Sequence, residues 1–501
     1  MRREYLIICS ILIYLLFCFL PQSIHSITLQ DFRVNSDSAE HVDQFGTGIV
    51  FDRNGNFAVV WCDRGLDHNN RQIYFQRFDS LGNRIGGPVL VSDSTNHKNN
   101  DPQIAMAPSG SFVICWLNWI YVGDDRLIDI WVQGFDSLGQ PAWPRKQVDI
   151  DRPTYSLTEW MPSMAMDKDG NFIVVWATQD STYERDVYAQ RFSSSGERIG
   201  NNFRVNQESR SSSQFPDVAF NSQGYFLICW QGVAYCPGWF SDYVLARIYN
   251  PAGEPITNEL QLFSPCVSKW KGSAVPAVAA NSQNNFIIAA NAFDTLHTYP
   301  NNTVIVQTFD TLGNPVDTAK VVSDVIDMKD IFFRPRIAID SADDYVVVWS
   351  DLRCQPFSNL WAQRFNSSGE PRGQNYRINI PPGSLSSPDG LYGDWRGHDV
   401  AFHKNTVGIS WVDLRNWEPF EADIYAKLLD LDKIGYYMRG DVVLDGKINL
   451  VDVIYLANYL LKSGWGILPL WPADTNCDGK YGLVDVILLA RYVLLGQPFP
   501  C

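Results

Sequence analysis

Basic residues are scarce in this chain of 501: 40 Lys and Arg stand against 55 Asp and Glu, a net charge of −15. Neutralising nucleic-acid phosphates takes clustered Lys and Arg, so that partner class is excluded. Histidine is scarcer, with 7 scattered residues and no HExxH pair, which excludes a zinc-protease helix. Neither a nucleophile elbow nor a phosphate-binding glycine loop occurs, so the common hydrolase and nucleotide sites have no foothold. After residue 26 no segment is apolar enough to cross a bilayer, which takes roughly 20 apolar residues.

What the N-terminus does contain is Arg2 and Arg3, an apolar run from Leu6 to Leu20, and a short polar stretch ending "SIHS". That order predicts a secretory signal peptide over residues 1–26, cleaved after Ser26, and a secreted or surface-associated product. Of the 10 cysteines, Cys9 and Cys18 fall in that segment, leaving eight in a compartment that permits disulfides. Cys236 with Cys266, and Cys477 with Cys501, are the expected pairs. Cys115 and Cys229 precede strand-ending tryptophans and are expected as buried thiols.

A turn followed by an apolar strand recurs along the chain: "FDRNGNFAVVW" (51–61), "MDKDGNFIVVW" (166–176), "FNSQGYFLICW" (220–230) and "IDSADDYVVVW" (339–349). A second element follows each, as in "IYFQRFDSLGNRIG" and "VYAQRFSSSGERIG". Its glycine falls at 82, 139, 196, 253, 313 and 369, so successive intervals are 57, 57, 57, 60 and 56. With the variants "NNFIIAA" (284–290) and "VGISW" (407–411) there are seven units. A period this long carries one supersecondary unit per repeat. Each reads as four strands, "PxxA", "GNFxVVW", "IYAQRF" and "FRVN", and the inner ones are apolar at successive positions, so both faces must be covered. Radially packed blades do that, and the prediction is an all-β seven-bladed propeller over 27–436. The seventh unit, ending in "DIYAKLLDLD" (423–432), lacks its "FRVN" strand, whereas "FRVN" occurs at 32–35 before the first unit. The N-terminal strand, 31–36, is therefore expected to close the last blade and remove a free sheet edge.

Within the propeller, "WCDRG" (61–65), "WSDLRC" (349–354) and "WVDLRN" (411–416) each place an Asp and an Arg beyond the second strand. Two readings stand. Asp63, Asp351 and Asp413 could be catalytic carboxylates, with Arg64, Arg353 and Arg415 gripping an anionic ligand or a sugar. Alternatively, all six are turn ion pairs carried along by the repeat. Trp119, Trp239, Trp270, Trp395 and Trp417 are expected in longer loops, where aromatic faces suit glycans. Sialidases are propellers too, but their S-x-D-x-G-x-T-W box is missing.

At the C-terminus two segments align without gaps, "GDVVLDGKINLVDVIYLANYLL" (440–461) and "ADTNCDGKYGLVDVILLARYVL" (473–494). Acids fall at loop positions 1, 5 and 12 and glycine at 6, the spacing that folds several oxygens around a hard cation. Each loop leads into an apolar-rich helix with no helix entering it. This duplicated motif resembles a type I dockerin over 440–501, within a small all-α C-terminal domain of residues 437–501. The resemblance implies a calcium-dependent domain that docks onto a cohesin. Its ligands would be Asp441, Asp445, the Lys447 carbonyl and Asp452, then Asp474, Asn476, Asp478, the Lys480 carbonyl and Asp485. Val443 replaces an oxygen ligand in the first loop, so the first of two calcium sites is expected to be the weaker. The cohesin-contacting positions would be Leu450, Val451, Leu483 and Val484, unless those four pack the helices together or cap the propeller.

These features lead to a secreted, noncatalytic binding or display propeller, tethered through its C-terminus to a cohesin-bearing partner or cell surface, with a polysaccharide or glycan as the ligand class. The competing reading is a dockerin-borne glycoside hydrolase with its site in the propeller cleft.

Overall fold

Six of the seven repeats open the second strand with an aromatic residue, and six run on to a tryptophan. In the computed structural model these runs form seven four-stranded antiparallel sheets, followed by two helices. The structure describes residues 31–35, 43–64, 71–92, 98–122, 125–150, 156–180, 184–207, 213–236, 239–263, 270–294, 301–323, 334–351, 358–379, 397–415, 422–436, 439–443, 447–462, 471–477 and 480–500. The expected signal peptide lies outside them. Blades one to six are sheets within 44–90, 98–147, 156–204, 214–262, 270–321 and 336–377. Blade seven takes three strands from 398–430 and its fourth from Phe32–Arg33.

Continuous apolar runs suit this arrangement because a strand's side chains alternate between the two faces of its sheet. In blade one, Phe57, Val59 and Trp61 pack toward blade seven, whereas Ala58, Val60 and Cys62 pack toward blade two. All seven propeller core clusters are of this kind, each drawn from two neighbouring blades. Cross-strand aromatic pairs fix the second strand on the third: Phe57 stacks on Phe78 at 4.7 Å, Phe172 on Phe192 at 4.8 Å, and Trp176 lies over Tyr188 at 6.3 Å.

The repeated turns have one mechanism. The Asp52 carboxylate accepts the Asn54 and Asn56 amides at 2.8 and 2.9 Å, and Asp79, Asp136, Asp167, Asp310 and Asp340 repeat the pattern. This bends the chain so that the fourth turn residue needs a left-handed backbone. Gly55 (φ 86°) and Gly82 (φ 81°) supply it at no steric cost.

The asparagine of "FRVN" also has a visible purpose. Asn206 Oδ1 accepts the Val187 amide at 2.8 Å and Asn379 Oδ1 that of Leu360 at 2.9 Å, so the outer strand caps the start of the third strand in its own blade. Asn35 does the same for Ile424 of blade seven, at 2.9 Å, although the two are 389 residues apart in sequence. Its amide also donates to Gln44 Oε1 at 3.0 Å and Asp423 Oδ1 at 2.8 Å, while Val34 is fully buried in the cluster shared by blades seven and one. The first strands line the axis, packed side by side, and that of blade one meets that of blade seven.

Two polar chains cross the blade junctions beside the axis. Ser163 in blade three donates to Asp217 Oδ1 in blade four at 2.6 Å, and Asp217 Oδ2 accepts the Val278 amide of blade five at 2.9 Å. Arg336 of blade six lies 3.9 Å from Asp399 of blade seven, whose Oδ2 accepts the Ile49 amide of blade one at 3.0 Å. Beside this second chain His398 is buried, and burial together with Arg336 and Arg334 pushes its pKa down to about 3, with Asp399 as the neighbouring acid. An unfolded chain protonates this imidazole near 6.5, whereas the folded one does not. Its contribution to stability is therefore complete above pH 6.5 and is lost as pH falls toward 3, by about 1.4 kcal/mol per pH unit. Between pH 6.5 and 4.5 a His398→Gln variant should lose stability about 3 kcal/mol less steeply than the native chain, read from urea midpoints at the two pH values. Parallel pH slopes for the two proteins would contradict this assignment.

Candidate functional site

The C-terminal domain is built on two helices, α1 (Leu450–Lys462) and α2 (Leu483–Leu495). Leu456 and Leu489 meet, fully buried, with Val442, Val453 and Ala473 in a cluster that contains no propeller residue. The Tyr459 and Tyr481 rings pack at 5.6 Å, and the Gly440 amide donates to the Pro472 carbonyl at 2.8 Å, which ties one loop start to the other.

Both loops close in the same way. Asp452, at position 12 of the first loop and fully buried, accepts the Val443 amide (position 3) on Oδ1 at 3.1 Å and the Asn449 amide (position 9) on Oδ2 at 2.8 Å. Asp485, equally enclosed, accepts the Asn476 amide at 3.2 Å and the Gly482 amide at 2.7 Å, from the same two positions of the second loop. Each aspartate thus sits in the first turn of its helix with the loop folded over it, which also suits the positive end of the helix dipole. Asp441 is buried as well, Asp474 and Asn476 are half-buried, and Lys447 and Lys480 are exposed, as suits residues expected to contribute only carbonyls. Asp445 and Asp478 lie outside the described residues. An all-oxygen donor set with enclosed carboxylates fits a hard cation of the calcium type and not a thiophilic metal. Val443 is buried and keeps the backbone bond that Asn476 makes, so the side chain is lost as a donor while the loop shape is kept.

The four aliphatic residues at positions 10 and 11 point elsewhere. Leu450 and Val451 are 49% and 55% exposed, and Leu483 and Val484 62% and 55%. They neither join the helix–helix cluster nor cover the propeller, and Ile454 and Ile487, one turn further on, extend each patch.

Of the Asp/Arg recurrences of the propeller, that of blade seven forms an ion pair of its own. Asp413 is fully buried and accepts the Trp411 indole N–H at 2.7 Å and Arg415 Nε at 3.0 Å, while Arg415 Nη2 reaches Asp413 and Asp31 at 2.7 Å each. Burial opposes the Arg415 charge, yet these carboxylates hold its pKa above the usual guanidinium range. Asp351, also fully buried, accepts the Trp349 indole N–H at 3.0 Å. Arg64 pairs with Asp43 at 3.2 Å, and Asp63 accepts from Gln44 Nε2 at 3.4 Å. Asp351 and Asp413 are thus enclosed, each holding the indole of its own strand. In blades six and seven the tryptophan and aspartate of W-x-D share one strand face and the indole N–H reaches the carboxylate, whereas in blade one the Trp61 indole N–H makes no bond to Asp63. Arg353 lies outside the described residues.

Trp119, Trp239 and Trp270 occupy strands Phe112–Val122, Trp239–Tyr249 and Trp270–Ala280, not loops. The blade hairpins run further than the repeat pattern indicated. Trp395 and Trp417 fall outside the described residues. Cys62, Cys115 and Cys229 are buried free thiols, and burial, reinforced by Asp217, raises the Cys229 pKa. Cys477 is disulfide-bonded, while Cys266 and Cys501 are outside the described residues.

Residues 439–494 match the family model of the dockerin type I domain, so the two-helix segment is a dockerin module. No curated protein matches the chain. Among solved structures, polysaccharide lyase Uly1 is similar at 10% identity and a TM-score of 0.49, over 82% of this chain and 95% of that one. A protein of unknown function from Dyadobacter fermentans is similar at 9% identity and a TM-score of 0.48, over 81% and 99%. The Hadza microbial sialidase Hz136 is similar at 11% identity and a TM-score of 0.44, over 78% of this chain and 66% of its own length. Likeness at this level says nothing about ligand or activity. No described helix is long and apolar enough to cross a membrane.

Proposed function

We propose that this protein is an exported binding or display propeller (27–436) that docks through its dockerin module (437–501) onto a cohesin-type partner, with calcium holding the docking surface together. The observation that carries the reading is the exposure of Leu450, Val451, Leu483 and Val484 beside enclosed carboxylates. A stable domain would bury four such side chains, and exposed aliphatic residues grouped next to a built loop mark a protein contact. A cap on the propeller would have buried them, so their exposure favours docking.

The two halves carry the same Leu-Val pair, so either can meet the partner. Docking should survive Leu450→Asp with Val451→Asp, and also survive Leu483→Asp with Val484→Asp, each with an affinity loss below about tenfold. The quadruple variant should bind at least about a thousandfold more weakly, since losing both apolar patches removes 4 kcal/mol or more. Titration calorimetry of the full chain against a type I cohesin domain gives the answer, and full retention in the quadruple variant would remove these residues from the interface. A noncatalytic propeller is supported by the commitment of Asp351 and Asp413 to indoles and Arg415. The remaining acid of that set, Asp63, accepts from Gln44 Nε2 in blade one.

A further inference from the structure

The rim between blades one and two shows how the repeat fills a recurrent gap. Arg71, three residues before Tyr74, lies over the Phe45 ring at 5.2 Å and the Trp119 ring at 5.7 Å, and Nη1 donates to Asn100 Oδ1 at 2.8 Å. The guanidinium is stacked between two aromatic rings and held by the amide of the next blade.

Two blades further on, the strand registers put the same elements in place, with one missing. Arg185, three residues before Tyr188, corresponds to Arg71, Trp160 to Phe45 and Gln214 to Asn100. The residue three beyond the strand tryptophan is Trp119 in blade two but Val233 in blade four. Beside Arg185 there is a cavity of about 170 Å³, walled by Trp160, Met161, Ala177, Arg185 and Gln214. Arg185 Nη1 donates to Gln214 Oε1 and Nε to Gln179 Oε1, and no carboxylate of the described residues pairs with it. Two neutral amide oxygens orient the guanidinium without neutralising it. A guanidinium has five N–H donors, so three remain.

We propose that this cavity is a ligand site for a small ring bearing one carboxylate, with the ring packed against Trp160 and the carboxylate meeting the guanidinium. The volume admits one ring and is smaller than the roughly 300 to 1,000 Å³ of sites that enclose drug-sized ligands. An apolar wall with a single oriented cation selects an anionic ring over a neutral one, because a carboxylate gains charge-assisted hydrogen bonds that a hydroxyl or ester cannot match. Both a uronic acid sugar and an aromatic acid carry this chemistry. The inference deepens the binding reading of the propeller and rests on it. Docking is measured separately at the C-terminal module, so failure of one leaves the other standing.

The test is titration calorimetry of the full chain with D-glucuronate, benzoate, and the neutral methyl glucuronate ester and benzamide. Binding of at least one acid, with its neutral analogue bound at least about tenfold more weakly, is expected, and the preferred acid tells sugar from aromatic ligand. Arg185→Gln should weaken that binding about ten- to a hundredfold, the worth of a charge-assisted contact. Trp160→Ala, which removes the aromatic wall while leaving Arg185 in place, should weaken it about three- to tenfold. Absence of binding by both acids, equal binding of the neutral analogues, or unchanged binding in either variant would overturn the proposal.

Discussion

A chain beginning at residue 37 should fail to form a stable propeller. The segment it loses buries Val34 and packs Phe32 against Phe57 and Phe78 at 6.3 and 5.6 Å. It also pairs Arg33 with Asp423 and Asp31 with Arg415, both at 2.7 Å, and makes the three Asn35 side-chain bonds at the junction of blades seven and one. Burying an aliphatic side chain is worth about 1.5 to 3 kcal/mol, and each buried polar group left without a partner costs about 1 to 3 kcal/mol. Arg415 and Asp413 would lose their third charged partner in an enclosed site, where a broken ion-pair network is costly. The sum, on the order of 10 kcal/mol, is comparable with the whole stability of a domain. The strand Asp423–Asp430 would become an exposed edge, so aggregation should accompany unfolding. Asn35→Ala isolates the capping part and should cost about 3 kcal/mol in urea unfolding. A truncated chain with an unchanged thermal midpoint would mean that the ring does not depend on this strand.

Substituting the position-12 aspartates should have the second-largest effect, confined to the C-terminus. Asp452→Ala removes a carboxylate that holds two loop amides at once, and Asp485→Ala one that holds Asn476, Gly482 and the Thr475 amide at 2.9 Å. Each change takes away both an expected cation ligand and the clasp that shapes its loop, so binding and local folding should be lost together. Calcium titrated calorimetrically into the full chain should show two unequal sites. Asp485→Ala should delete the tighter one and Asp452→Ala the weaker, since Val443 already deprives the first loop of an oxygen. The double variant should take up no calcium, and its propeller should still unfold at the native urea concentration. Undiminished uptake by the double variant would show that these loops are not the metal sites.

Both effects were readable in advance because they depend on position in a pattern. A missing fourth strand in the last unit and a surplus one before the first can be matched by counting, and the aspartates that close the two C-terminal loops recur at position 12 of a duplicated segment. Other features depend on what a side chain meets across a blade junction. Asp217 and Asp399 occupy one register position of the first strand, filled elsewhere by Gly48, Gln103, Ser163, Ala277 and Arg336, so no recurrence marked them. The blade-three cavity is walled by residues of four strands in two blades, Trp160, Ala177, Arg185 and Gln214, so no single stretch of sequence marked it. The repeat pattern ends short of Trp119, Trp239 and Trp270, whereas their hairpins run on, with cross-strand pairing that continues to Val122 with Asp125, to Cys236 with Trp239 and to Trp270 with Asp294.

Docking is tested most directly by one binding isotherm: the full chain titrated into a type I cohesin domain in millimolar calcium, then repeated in excess chelator. A saturable one-to-one complex in calcium that disappears with the chelator is the expected result. Complex formation that is indifferent to calcium, or no complex across a panel of such cohesins, would contradict a calcium-held docking surface at Leu450, Val451, Leu483 and Val484.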